Sequence, residues 1–186
     1  ILEQIRVLPS EHSSEAHALF AHANLMAGLA RLDRGEPDAA VVHFEAAMTW
    51  PERLGQGRPY EPEERVGRFL LGLARSASGD SEAGDSAWAE VVDATPPSVF
   101  QGGSVTRLDL LGAVALELLG RRTDLHDFGE AQGRKLRPLV QAVRSAARTD
   151  TSVARAIQRA SEATVDVFGD VEGRIVRRAI AAAARR

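Results

Sequence analysis

The sequence predicts an all-α protein built from helical hairpins, and three observations carry that prediction. The phrase Gly-Leu-Ala-Arg occurs twice, at Gly28–Arg31 and at Gly72–Arg75. Each copy is followed by a further glycine seven positions after the first, Gly35 and Gly79, and then by a second amphipathic stretch. A helix, a glycine turn and a second helix, repeated, is the pattern of a helical-hairpin array. Composition agrees: over 186 residues the aromatics are 5%, alanine and leucine dominate the apolar residues, and β-branched runs are scarce. That length suits one domain or one short array, with a real core.

Residues 11–49 read as hairpin one. Its first helix, Ser13 to Leu32, carries Leu19, Phe20, Ala23, Ala27 and Ala30 on one side and Leu25, Leu29 and Leu32 on another. A helix apolar nearly all round is buried on two sides. Ser13 or Ser14 caps its start, and Glu15 follows where a negative charge suits the helix N-terminus. Gly35 ends it, because glycine accepts the left-handed backbone of a helix C-cap. Pro37 opens the partner helix in its first turn, where a missing N–H costs nothing. Ala40, Val41, Phe44, Ala47 and Met48 then recur at helical spacing up to Pro51.

Residues 50–61 form a linker rich in glycine and proline. Residues 62–96 repeat the plan as hairpin two. Pro62 is expected to open a helix through Val66, Phe69, Leu70, Leu73 and Ala74 to Gly79, and Ser81 to Ala94 forms its partner, closed by Pro96-Pro97. A degenerate third hairpin occupies 104–148, with a first helix from Thr106 to Leu119 ended by Gly120. Gly129, Gly133 and Pro138 are expected to interrupt its second helix and leave Leu139 to Ala147 as the strongest part. A C-terminal helical pair fills 152–186, over Ser152–Phe168 and Val171–Ala184. In the second of these, Ile175, Val176, Ala179 and Ile180 form a stripe that has to pack on something.

Composition also excludes whole classes of chemistry. Without cysteine there is no disulfide scaffold, thiolate metal site or cysteine nucleophile. No apolar run approaches the roughly 18 residues of a membrane span, and the N-terminus has no secretory h-region, so a cytoplasmic protein is expected. The chain opens at Ile1 and is read as part of something longer. Its cations are 22 arginines and one lysine, a bias that points to a GC-rich bacterial genome. From Arg134 onward the charge is +7, against −10 for the rest of the chain. Intramolecular docking of the two parts would satisfy both.

The hairpins resemble tetratricopeptide repeats. Hairpin one offers Gly28, Gly35, Ala40, Phe44 and Ala47 in register, with Pro51 one position early. Hairpin two offers Gly72, Gly79, Gly84, Trp88, Val91 and Pro96, with two small positions altered. Small residues let neighbouring helices approach and the large one fills the gap between hairpins. Gly28, Gly72 and Gly112 stand 44 and 40 residues apart, so both intervals carry insertions relative to the usual 34. The resemblance covers residues 13 to about 122 and implies a right-handed α-solenoid. The linker Trp50-Pro51-Glu52-Arg53-Leu54-Gly55-Gln56-Gly57-Arg58-Pro59-Tyr60 is similar to one in a family of long bacterial proteins. Those join an N-terminal β-sandwich region of unknown function, similar to sugar-active enzymes, to a C-terminal tetratricopeptide array. The resemblance implies that this chain is such an array, and that the chemistry belongs to an upstream region.

The candidate sites follow from these readings. Trp50 and Tyr60 either pack back over the hairpin junction or join Arg53 and Arg58 in a stacking and hydrogen-bonding edge for a sugar or a partner loop. The resemblance further implies a concave surface lined by the first helix of each hairpin: Leu25, Leu29 and Leu32, then Val66, Phe69 and Leu73. Such an apolar groove needs an occupant: an upstream domain of the same polypeptide, a partner helix, or the chain's own C-terminal helices. No catalytic, cofactor or metal constellation is legible. His12, His17 and His22 are five apart, which turns each by about 140° from the last and prevents convergence on one ion. Glu63-Glu64 reads as helix-start charge, and Gly55-x-Gly57 lacks the strand and third glycine of a nucleotide fingerprint. Three functions remain. The first is a non-catalytic protein-interaction or scaffold module. The second is a support region of a carbohydrate-active enzyme. The third, nucleic-acid binding by the basic C-terminal helices, is disfavoured because its cations lack aromatic stacking partners.

Overall fold

The computed structural model describes residues 13–101, 106, 108–132 and 171–183, and among these the regular structure is helical throughout, with no strand. The elements are α1 (Ser13–Leu32), α2 (Pro37–Ala47), a 3-10 turn (Glu52–Leu54), α3 (Arg65–Ala77), α4 (Ser81–Asp93), α5 (Pro97–Phe100), α6 (Asp109–Leu118), α7 (Arg122–Gln132) and α8 (Val171–Ala183). No helix among the described residues is long and apolar enough to cross a membrane.

Helix α1 packs on α2 and α3 on α4, and the pairs stack in succession, α2 against α3 and α4 against α6. The turns form where glycine was expected to close a helix: Gly35, Gly79 and Gly120 have φ of 72°, 96° and 69°, which a side chain resists. Pro37 occupies the first turn of α2, and the Asp80 carboxylate caps α4 by accepting the Ala83 N–H at 3.1 Å.

The repeated glycines have a steric cause. A Cβ on Gly28 would lie under 3.0 Å from three ring carbons of Phe44, and one on Gly72 under 3.0 Å from three indole atoms of Trp88. Each large ring therefore rests directly on a helix backbone. Trp88 adds a buried hydrogen bond, its Nε1 donating to the Phe69 carbonyl at 3.2 Å.

Three expectations are corrected. Helix α3 starts at Arg65 rather than Pro62, because the Glu63 carboxylate accepts the Arg65 backbone N–H at 3.1 Å and supplies the start. Pro96-Pro97 does not simply close hairpin two: Pro97 begins the short α5, which buries Val99 and packs on α7. The second helix of the third hairpin begins at Arg122 and runs through Gly129. Fully buried Leu125 and Phe128 anchor it, and each contributes about 1.5–3 kcal/mol, more than the roughly 1 kcal/mol that a helical glycine costs. The segments Leu139–Ala147 and Ser152–Phe168 lie outside the described residues.

Helix α8 joins the core from the far end of the chain. It packs on α1, α3 and α6, with Ile175, Val176, Ala179 and Ile180 buried in the cluster that holds Leu25, Leu29, Val66, Phe69 and Leu73. At its edge Arg178 donates to the Asp33 carboxylate at 2.6 Å. The first helices of the three hairpins thus meet a segment of the same chain.

Candidate functional site

The linker is folded rather than loose. Its 3-10 turn buries Leu54 and ends at Gly55, whose φ of 73° reverses the chain. Arg53 lies over the Phe20 ring with its guanidinium carbon 5.5 Å from the centroid, which ties the turn to α1 through a cation–π contact. Trp50 stacks on His17 at 3.4 Å between centroids and 6° between planes. His17 Nε2 also lies 3.0 Å from the Thr49 carbonyl. This stack clamps the end of α2 to the start of α1. The Trp50 indole N–H is buried and has no hydrogen-bond acceptor, a state that costs about 1–3 kcal/mol for a donor removed from water.

Beyond Gly55 the chain crosses the start of α3 and is held by charge. Arg58 donates to one oxygen of Glu64 at 2.9 Å, and Arg68 donates to the other at 2.8 Å. Arg68 also pairs with Glu90 of α4. The Glu64 side chain is 8% exposed, so both of its oxygens need these donors. Beside it, Arg65 is 11% exposed and bridges Glu63 at 2.5 Å and Asp109 at 2.6 Å. Hydrogen bonding to Glu63 first, and to Asp109 as well, holds the Arg65 guanidinium above its ordinary pKa against the opposing effect of burial. The second Asp109 oxygen accepts from the Thr106 N–H and hydroxyl at 2.7 and 2.8 Å. One carboxylate thereby starts α6 and fastens it to α3.

Three clefts surround this network. One of about 250 Å³ is lined by His17, His22, Leu25, Trp50, Glu61 and Ile175, among others. The second, about 570 Å³, takes in Thr49, Trp50, Arg58, Arg68, Arg75 and Glu90. A third of about 560 Å³ lies over Arg58, Glu61, Arg65 and Asp93. Each arginine of the second cleft has a carboxylate partner, with Arg75 held by Glu45 at 3.0 Å, so its wall is polar but charge-compensated.

The structure separates the candidate residues of the linker. Trp50 and Arg58 share one cleft, whereas Arg53 sits apart on Phe20. The two aromatics part company. Trp50 packs back over the junction, but Tyr60 does not: it is 98% exposed. Its neighbours Pro59, Glu61 and Pro62 line the first cleft, and the side chain between them is left in solvent. The apolar set is not open surface either. Leu25, Leu29, Val66, Phe69 and Leu73 are buried, and Leu32 is half-buried against the same cluster, which α8 joins by packing on α1 and α3. The Glu64–Arg68–Glu90 chain and the Arg65–Asp109 bridge were not anticipated. Arg68 stands four residues after Glu64, the helical spacing for an ion pair. The Arg65–Asp109 pair spans 44 residues and leaves no local signal.

Among the described residues no group of three or more histidine, aspartate or glutamate side chains is arranged to hold a metal ion. Compared with known proteins, the chain matches no family model, no curated protein and no solved structure.

Proposed function

We propose that this chain is a non-catalytic helical-repeat interaction module, a right-handed tetratricopeptide-like stack acting as a scaffold within a larger bacterial protein of the cytoplasm. The observation that carries the reading is the repeated steric device. Gly28 lies under Phe44 and Gly72 under Trp88, each pair sixteen residues apart, with successive hairpins stacked through α2–α3 and α4–α6. Stacked hairpins of this kind serve mainly as extended binding surfaces. The partner is a protein, or an upstream domain of the same polypeptide, and the linker side offers it three adjoining clefts beside exposed Tyr60.

A second reading keeps a carbohydrate in view, since an exposed tyrosine beside a polar cleft suits sugar stacking. Nucleic acid is the weaker partner, because the cations of the C-terminal segment are interleaved with alanines and lack aromatic stacking partners in the sequence. The test places a photo-crosslinking residue at position 60 and measures the captured protein, once purified, by calorimetry against wild type and Arg58→Glu. Binding weakened in Arg58→Glu supports the module. Sugar binding lost in Arg58→Ala, or turnover of a glycan panel, replaces it with the carbohydrate reading.

A further inference from the structure

Helix α8 differs from the others in how it reaches its place. The stack α1–α2–α3–α4–α6 is consecutive and held by its own contacts, including Phe44 on Gly28 and Trp88 on Gly72. Residues 133–170 then separate α7 from α8, and α8 lies across the first helices of all three hairpins. It therefore fills a surface formed entirely by segments distant from it in sequence.

The chemistry of the contact is that of a helix in a groove. Ile175, Val176, Ala179 and Ile180 stand at i, i+1, i+4 and i+5 and are at most 2% exposed. Arg178, at i+3, reaches the rim, where it pairs with Asp33. Their side chains keep 37% and 42% of their exposure. A pair so open to water sets register more than strength. The acidic balance of residues 1–133, −10 against +7 for the remainder, favours a cationic occupant over an anionic one.

We infer that the groove across α1, α3 and α6 is a receptor for a basic amphipathic helix, and that α8 is its resident occupant, displaced by a partner helix of the same pattern. This rests on the interaction-module reading and names the partner's chemistry: apolar residues at i, i+1, i+4 and i+5, with an arginine or lysine at i+3. Tethering raises the local concentration of α8 and sets the threshold that a partner must exceed.

A labelled peptide of residues 171–183 is titrated into the full-length chain and into full-length Ile175→Asp/Ile180→Asp, whose own α8 cannot re-enter the groove. The expected result is micromolar binding to the variant and binding weaker by about 10-fold or more to wild type. Asp33→Arg in the variant should weaken the peptide, and an Arg178→Glu peptide should recover it. No binding by a variant with wild-type circular dichroism overturns the proposal. So does a variant that does not fold, since the groove then needs α8 in order to exist. Hydrogen exchange on the unmodified chain gives an independent reading. Amides of α8 should exchange roughly 100-fold faster than those of α3, and equal rates overturn the inference. Concentration-dependent dimers that trade α8 would assign the groove to a second copy instead. Partner capture at position 60 is unaffected by any of these outcomes, so the broader reading fails or survives separately.

Discussion

Hairpins one and two place the same device in the same register but tune it differently. In hairpin one α1 runs 20 residues, Phe44 covers Gly28, and Ala40 occupies the small position of α2. Hairpin two has a 13-residue first helix, with Trp88 over Gly72 and Gly84 at the small position. A Cβ on Gly84 would meet the Gly72 carbonyl at 3.0 Å and come closer still to Ser76 Cβ, so α3 and α4 touch backbone to backbone there. Ala40 carries a Cβ at the matching place and is fully buried. Trp88 and Gly84 thus both meet α3 at Gly72, the indole where its Cβ would be and the Gly84 backbone beside its carbonyl. The ring and the small position are set together in hairpin two, and one hairpin's pair is no substitute for the other's.

The sharpest way to break this comparison is a size swap. Trp88→Ala is expected to cost about 3–5 kcal/mol in urea unfolding, and Gly72→Leu about 1–3 kcal/mol by overpacking. The leucine also pushes the indole N–H off the Phe69 carbonyl. The double variant should cost clearly less than the sum, because the leucine enters the space that the indole leaves. Strict additivity would mean that Gly72 and Trp88 do not share one packing site. The same cycle at Gly28 and Phe44 should show weaker coupling, since Phe44 has no hydrogen bond to lose.

Next in size is the bridge from hairpin two to hairpin three. Asp109→Ala removes one of the two carboxylate partners of an arginine that is 11% exposed, Glu63 being the other, and also the acceptor for Thr106 at the start of α6, and the expected loss is about 1.5–3 kcal/mol. A loss below about 1 kcal/mol would reduce the bridge to the level of a surface pair. The ion pair that ties hairpin one to hairpin two, Glu45–Arg75, is more open to water, and His17→Ala in hairpin one removes the stack on Trp50 together with the contact to the Thr49 carbonyl. That change should cost about 0.5–1.5 kcal/mol and shift tryptophan emission. An unchanged spectrum would contradict the stack.

The smallest effect concerns the turn of hairpin one. Arg31 donates to Glu36 at 2.7 Å, and that hydrogen bond, followed by the charges of Arg31 and Arg34, holds the Glu36 carboxyl below its ordinary pKa. A lowered folded-state value stabilises above the unfolded value of about 4.3 and is lost as pH falls through the folded one. Wild type should therefore melt slightly above Glu36→Gln at pH 7, and the gap should narrow as pH falls below the ordinary glutamate range. A gap that does not narrow as the solution is acidified would assign the effect to something other than ionisation.

What was legible in the sequence was local and periodic. Gly35, Gly79 and Gly120 marked helix ends because a left-handed residue is needed there, and Gly28 with Gly72 marked close approach because mid-helix glycine is otherwise costly. Gly129 misled, since a glycine alone does not reveal that Leu125 and Phe128 just before it are buried. Tyr60 misled for a related reason: its bulk favoured burial, but the path of the linker is set by Leu54 below and by the Arg58–Glu64 pair beyond it. The bridge to Asp109 and the docking of α8 join residues far apart in the chain. Periodicity can demand that the α8 stripe be covered, but only the assembled hairpins define the surface that covers it.

That distance has a temporal side. Asp33 and Arg178 are 145 residues apart, and a ribosome adding about 5–20 residues per second needs roughly 7–30 s to make the second after the first. Through that interval Leu25 and Leu29 are already made and Phe69 and Leu73 are added, while the helix that packs on α1 and α3 does not yet exist. The nascent chain carries a sticky strip whose lifetime is set by translation speed rather than by folding speed. Slow codons between the hairpins and α8 would lengthen that exposure, and synonymous changes there should alter the yield of folded protein without altering a single contact in it.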